Sequence, residues 1–265
     1  MNEPRDIGIV LSGGGVKGFA HAGLLCALEE EGIFPSIVAG TSAGALIGAL
    51  YASGIPAKDI LGKFDRIKLL NPMTISVRKP GLINLDKFRS YFEAEFPGDN
   101  FSSLKRKLII TTTNMETGEA VYHNEGTLID KILASCSIPG VFSPVNINGV
   151  LHMDGGIADT YPMEAMKNSS VPNIGQFVCY VGLRTTKQLS NSIRLLTRSS
   201  QLMLWHMSKD KFNQAEVFIC PKELDKVAFF DMRRSKEAHE IGYRAAKAQM
   251  PEIKKLVFNH THQAE

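Results

Sequence analysis

The chain is poor in most of what marks a specialised binder. Its 30 basic and 27 acidic residues leave a net charge of +3, with no polybasic run. Nucleic-acid binding concentrates positive charge on one face, so no nucleic-acid partner is expected. Cysteine is scarce: Cys26, Cys136, Cys179 and Cys220 stand at no metal-binding or redox spacing. A chain of 265 residues needs no disulfide staples, so reduced thiols are the default. The opening "MNEPRDIGIV" is polar and acidic where a secretory leader is basic and then apolar, which reads as a cytoplasmic protein. Internal repeats, low-complexity linkers and breaks in composition are also missing, and one domain over residues 1–265 is the economical reading. Gly32 to Ala57 carries no charge and is long enough to cross a bilayer. Its Pro35, Ser36, Thr41, Ser42 and several glycines fit a strand, a turn and a small-residue helix better.

What the chain does contain is an ordered series of strand and helix signals. "DIGIVL" (6–11) reads as a short apolar strand and Phe19 to Glu31 as a helix stopped by Gly32. "PSIVAG" reads as a second strand, and Ala43 to Ser53 as a helix closed by Gly54 and Pro56. This βαβα opening predicts an α/β fold with a parallel sheet. Further on, helices are expected over Leu85–Phe96, Leu128–Ser135, Leu189–Asn213 and Ser235–Gln249. Strands are expected at "KLIITTTNM" and "EAVYH", around the Asn148–Gly149 turn, at "QFVCYVGL" and at "EVFICP".

The first strand runs into Gly13, Gly15 and Gly18, the G-x-G-x-x-G spacing of a dinucleotide clamp. Such a clamp holds the ribose with an acid about 20 residues on, but the second strand ends in Gly40. What stands there is "GTSAG", a G-x-S-x-G elbow with Ser42 flanked by Gly40 and Gly44 at a strand-to-helix junction. Parallel strands open their loops on one edge, so both glycine motifs can face a single cleft. An acyl-transfer serine needs backbone donors for an oxyanion, which the amides of Gly13, Gly14 and Gly15 can supply.

A base for Ser42 is less obvious. None of the seven histidines sits in a loop that singles it out; His21 and His152 can neighbour the site, yet helix packing or solvation is the simpler account of each. Asp154 in "HMDGGIADTYP" is a better candidate, followed by Gly155 and Gly156. An aqueous aspartate is a poor base at a pKa of about 3.9, so burial would have to raise it. On residue chemistry alone a plain Asp-Gly-Gly turn is the simpler reading.

Taken together, "GGGVKG", "GTSAG", "ASCSIPGVFSPV" and "MDGGIADTYP" resemble, in that order, the patatin-like phospholipases, with "EVFICPKELDKVAFFD" and "EIGYRAAKAQM" similar to bacterial members. The resemblance implies a three-layer α/β/α sandwich with a mainly parallel sheet and a serine acyl hydrolase acting on phospholipids or related lipids. It implies Ser42 as nucleophile, Asp154 as general base and Gly13 to Gly15 as oxyanion hole, with Gly18, Gly40, Gly44, Gly155 and Gly156 shaping the motifs. It implies no cofactor and no metal. Lys17 stands where the family often has arginine, and losing the bidentate fork makes structural solvation its expected role. Residues 65 to 84 mix Leu69, Leu70, Met73, Ile75 and Val77 with Arg66, Lys68, Arg78 and Lys79, a composition suited to peripheral contact with an anionic membrane face. The stripe Leu189, Ile193, Leu196, Met203 and Met207 reads as core, with a lid as the other option. Two other classes remain open at this stage, a weakly catalytic lipid-binding or regulatory protein on the same fold and a nucleotide-binding oxidoreductase.

Overall fold

The computed structural model describes residues 5–65 and 86–258. The chain opens with β1 (Gly8–Leu11), a glycine loop passing through a 3-10 turn (Gly15–Gly18), and α1 (Phe19–Glu30). Then come β2 (Ile37–Thr41), α2 (Ala43–Ala52), α3 (Ala57–Asp65), α4 (Asp86–Glu95), β3 (Lys107–Asn114) and β4 (Ala120–His123). The remainder is α5 (Ile129–Ser135), β5 (Val145–Ile147), β6 (Val150–Asp154), β7 (Asn173–Gln176), α6 (Ser192–Ser208), β8 (Val217–Ile219) and α7 (Ser235–Phe258).

The strands form one sheet in the order β5-β6-β3-β2-β1-β7-β8, with β4 also on β3. β3, β2, β1, β7 and β8 run parallel, while β4, β5 and β6 pair antiparallel. Every residue of β1 and β7 is buried. Successive strand residues point to opposite faces, so the sheet is covered on both sides, and the fold is a three-layer α/β/α sandwich.

The pairing of β3 positions the site. Along one edge its residues Lys107–Thr111 pair with β2, ending at Thr41↔Thr111. Thr112–Asn114 pair with β6, running the other way and ending at Asp154↔Thr112. β4 pairs with Ile110–Thr113 and so overlaps both, which puts β2 and β6 on the same edge of β3. Two strands running toward each other therefore stop one residue apart, and the residue after β2 is Ser42.

Several elements depart from the sequence expectations for identifiable reasons. The late strand lies at Asn173–Gln176 rather than over residues 176–183: past Gln176 the chain stays buried but leaves the ladder, and the Val178 amide donates to Ser12 Oγ at 3.0 Å. α7 runs through Pro251 to Phe258, because Ile253 and Val257 beyond the proline are core residues. α3 was not anticipated. The uncharged stretch Gly32–Ala57 holds β2 and α2, and α2 is apolar all round because Gly44 to Ala52 are all buried. No helix among the described residues is long and apolar enough to cross a membrane. Except for Asp65, the basic and apolar stretch over 65–84 lies outside the described residues.

Candidate active site

Ser42 sits on the turn between β2 and α2 with φ 53° and ψ −120°, a left-handed conformation uncommon for a residue with a side chain. The neighbouring glycine permits that turn to close. A Cβ on Gly44 would lie 2.3 Å from the carbonyl oxygen of Leu11, at the end of β1, so no side chain fits there. The turn is held by hydrogen bonds: the Ser42 amide donates to Ser135 Oγ at 2.8 Å, and Ser135 Oγ donates to the Thr111 carbonyl at 2.7 Å. Thr41 Oγ1 donates to the Asp159 carbonyl at 2.9 Å.

The Ser42 hydroxyl donates to Asp154 Oδ2 at 2.7 Å, and the Gly156 amide donates to Oδ1 at 2.8 Å. The Asp154 amide is tied to the Ser137 carbonyl at 3.1 Å. Burial pushes the Asp154 carboxyl up to about 6, against the opposing pull of the hydrogen bonds from Ser42 and Gly156. The carboxylate is thus ionised at neutral pH, but with far more proton affinity than an exposed aspartate.

The glycine loop lies against this pair. A Cβ on Gly13 would fall 3.5 Å from Ser42 Cβ and 2.8 Å from Thr160 Oγ1. The three glycine amides expected to face an oxyanion differ in their hydrogen bonding. Gly13 N–H donates to the Thr160 carbonyl at 2.9 Å and is committed. The amides of Gly14 and Gly15 make no hydrogen bond among the described residues. Val16 N–H is held by the Phe229 carbonyl at 2.9 Å, so the late "KVAFFD" segment braces the loop from outside.

Both histidines considered from sequence are engaged elsewhere. His21 is fully buried, with Nε2 2.8 Å from the Ser12 carbonyl and Nδ1 2.7 Å from the Gln176 side-chain amide. A carbonyl only accepts, which fixes the proton on Nε2. Burial drops the imidazole to about 4, so it stays neutral and clamps β1 to β7. His152 shares Thr112 Oγ1 with His123, both at 2.8 Å. Lys17 overturns the solvation expectation: it is fully buried, and Nζ has no hydrogen-bond partner among the described residues.

Ser135, Ser137, Thr160 and Asp159 were not singled out from the sequence. Asp159 is a buried carboxylate that pairs with Lys211 at 2.8 Å and accepts from the Tyr122 hydroxyl at 2.7 Å, fixing the loop after Asp154. The only available signal was the presence of small polar residues inside buried runs, which is weak.

The α/β sandwich thus sets a serine elbow, hydrogen-bonded to a buried aspartate, beside a glycine loop in which the amides of Gly14 and Gly15 have no partner among the described residues. The chain belongs to the patatin-like phospholipase family, whose model matches residues 9–167, the span that holds the glycine loop, the elbow and Asp154. It is 30% identical over 175 residues to lysophospholipase nte1 of Aspergillus fumigatus, covering 62% of this chain and 11% of that one. It is also 30% identical over 194 residues to an uncharacterized NTE family protein of Mycobacterium bovis, covering 72% of this chain and 33% of that one. The chain thus spans only a minor part of these relatives. Among solved structures it resembles VipD from Legionella pneumophila, with a TM-score of 0.57 and 15% identity over 95% of this chain and 67% of that one, a likeness of fold.

Two variants test this geometry. Ser135→Ala leaves the buried Ser42 amide and Thr111 carbonyl short of a partner and should cost about 1–3 kcal/mol in denaturant unfolding; an unchanged midpoint would remove Ser135 from the account. Because Asp154 holds its proton more tightly folded than unfolded, its contribution to stability is fully present below the ordinary value of 3.8 and is lost as pH rises through about 6. Asp154→Asn should therefore stabilise the fold by about 1–3 kcal/mol above that window. The gain in melting temperature should shrink toward pH 4, and a loss of stability at pH 8 would contradict the buried-charge reading.

Proposed function

We propose that the chain is a serine acyl hydrolase that cleaves ester bonds of phospholipids or related lipids, with Ser42 as nucleophile and Asp154 as general base. The observation that carries this reading is the 2.7 Å hydrogen bond from Ser42 Oγ to a buried carboxylate. Family membership supports lipid ester hydrolysis as the reaction class, and the phospholipase names of the relatives support the substrate class.

In the first stage Ser42 Oγ attacks the ester carbonyl carbon while its proton passes to Asp154 Oδ2. The carbonyl oxygen becomes an oxyanion, for which the unbonded amides of the glycine loop are the proposed donors, and Ser42 stands at the N-terminal, positive end of α2. Collapse of the tetrahedral intermediate breaks the bond to the alcohol, which leaves with the proton from Asp154. In the second stage water attacks the acyl-serine and gives its proton to Asp154. When the carboxylic acid is released, that proton returns to Ser42. A carboxyl near 6 suits both duties, since it is ionised at pH 7 and still acidic enough when protonated to supply the leaving group. No histidine is required, and His21 is committed to backbone support.

Hydrolysis of a chain-length series of p-nitrophenyl esters tests this. Ser42→Ala should lose at least about a thousandfold in kcat/KM and Asp154→Asn at least about a hundredfold. The wild-type rate should rise with pH through an apparent value near 6 as Asp154 ionises. Full activity in purified Ser42→Ala would refute the reading. A folded wild type inert toward every ester would leave a lipid-binding or regulatory role as the better account.

A further inference from the structure

Of the stripe expected to be core, Leu196 and Met203 on α6 face outward, while Leu189 and Met207 are half-buried. Leu195 is 49% exposed, Leu196 71%, Leu202 37% and Met203 67%. At 100° per residue these four occupy an arc of about 120° on one side of the helix. Other residues of α6 hold it to the protein: Leu204 and Trp205 lie against the core, Trp205 packing on Phe177, Tyr180 and Phe212 at 5.2–5.9 Å between ring centres, and Arg198 Nη2 donates to the Gly182 carbonyl at 2.7 Å. Leu183, next to that anchor, is 97% exposed. The helix is therefore fixed with apolar residues on two sides, Leu204 and Trp205 against the core and Leu195, Leu196, Leu202 and Met203 outward, where an ordinary surface helix is polar.

Charge selects the kind of partner. From Ala165 to Lys209 the chain has no acidic residue, while Lys167, Arg184, Lys187, Arg194, Arg198 and Lys209 are basic. Arg184 is neutralised by Asp225 and Lys167 by Glu164. Lys187, Arg194 and Lys209, at the two ends of α6, are exposed and make no ion pair among the described residues. Exposed leucine and methionine on a helix with free cations at its two ends match acyl chains beneath anionic headgroups.

The face also adjoins the candidate active site. Val178 N–H donates to Ser12 Oγ at 3.0 Å and Cys179 Sγ contacts the Gly13 carbonyl at 3.4 Å, so this stretch touches the glycine loop. The next residue, Tyr180, packs edge-to-face on Trp205 of α6, 5.6 Å between ring centres. Phe230, 51% exposed, follows the Phe229 carbonyl that braces Val16. We infer that the outward face of α6 is a docking surface for an anionic lipid bilayer, placing the edge of the sheet that carries Ser42 against the membrane. This rests on the hydrolase reading for its purpose, but the binding itself does not require catalysis.

Flotation with vesicles tests it, using phosphatidylcholine alone and phosphatidylcholine mixed with phosphatidylglycerol. Wild type and Ser42→Ala should both float with the mixed vesicles. Leu196→Glu/Met203→Glu should bind at least about tenfold more weakly while keeping p-nitrophenyl butyrate hydrolysis within about twofold, since both positions face solvent. Lys187→Ala/Arg194→Ala should lose about fivefold per charge on mixed vesicles and little on neutral ones. The inference is overturned if wild type fails to bind mixed vesicles, or if the Leu196/Met203 variant, folded by circular dichroism, binds as wild type does. It is equally overturned if light scattering shows a dimer that this variant dissolves, with no vesicle binding, which would make the face an interface between copies of the chain. A wild type that binds vesicles but cleaves no ester would keep the docking surface and remove the hydrolase reading.

Discussion

The arrangement on which the rest depends is the end-to-end meeting of β2 and β6 along one edge of β3. A serine hydroxyl and a carboxylate 112 positions apart in sequence are brought to 2.7 Å because two strands stop at adjacent residues, Thr111 and Thr112. A slip of one residue in either ladder would turn every side chain of that strand to the other face and separate the pair. The register is pinned from both sides: Ser135 ties the elbow amide to Thr111, and Ser137 ties the Asp154 amide to the end of α5. Hydrogen bonds that look incidental one at a time thereby set the geometry.

The same arrangement carries a cost in stability. It holds a carboxylate away from water, keeps Ser42 in a left-handed conformation and leaves two amides of the glycine loop without hydrogen-bond partners among the described residues. Each is unfavourable in an ordinary loop and tolerable only where surrounding structure over-determines it. Here that structure is α2, buried along its length, the Asp159 network with Tyr122 and Lys211, and His21 bridging β1 to β7. The proposed chemistry rests on the same features, since a desolvated base and unsatisfied donors are what an attacking serine requires.

Much of this was legible in the sequence. β1, β2, α1 and α2 were readable because short apolar runs end at glycines and the following helices have clear stops. The hairpin at Asn148–Gly149 was readable because both residues tolerate positive φ, 53° and 90° here. Ser42 stood out as a candidate from its elbow, whereas Asp154 needed the family resemblance, since an Asp-Gly-Gly turn is common and burial leaves no mark in the string. Other features depend on distant contacts. The commitment of Gly13 to Thr160 and the abutment of β2 and β6 are matters of register between far segments. The end of β7 was hidden inside an unbroken apolar run. For α6, periodicity shows a stripe but not which way it faces; Trp205 and its aromatic neighbours decide that, and they belong to other elements.

The central claim is that Ser42 is a nucleophile whose reactivity is set by the buried Asp154. Labelling with a fluorophosphonate, followed by intact mass and peptide mapping across a pH series, tests it most directly. The account predicts one adduct, located on Ser42, forming at a rate that rises with pH to a plateau above about 6 in wild type and losing that pH dependence in folded Asp154→Asn. An adduct on any other residue, or labelling of Ser42 that is equally fast and equally pH-dependent without the carboxylate, would contradict it.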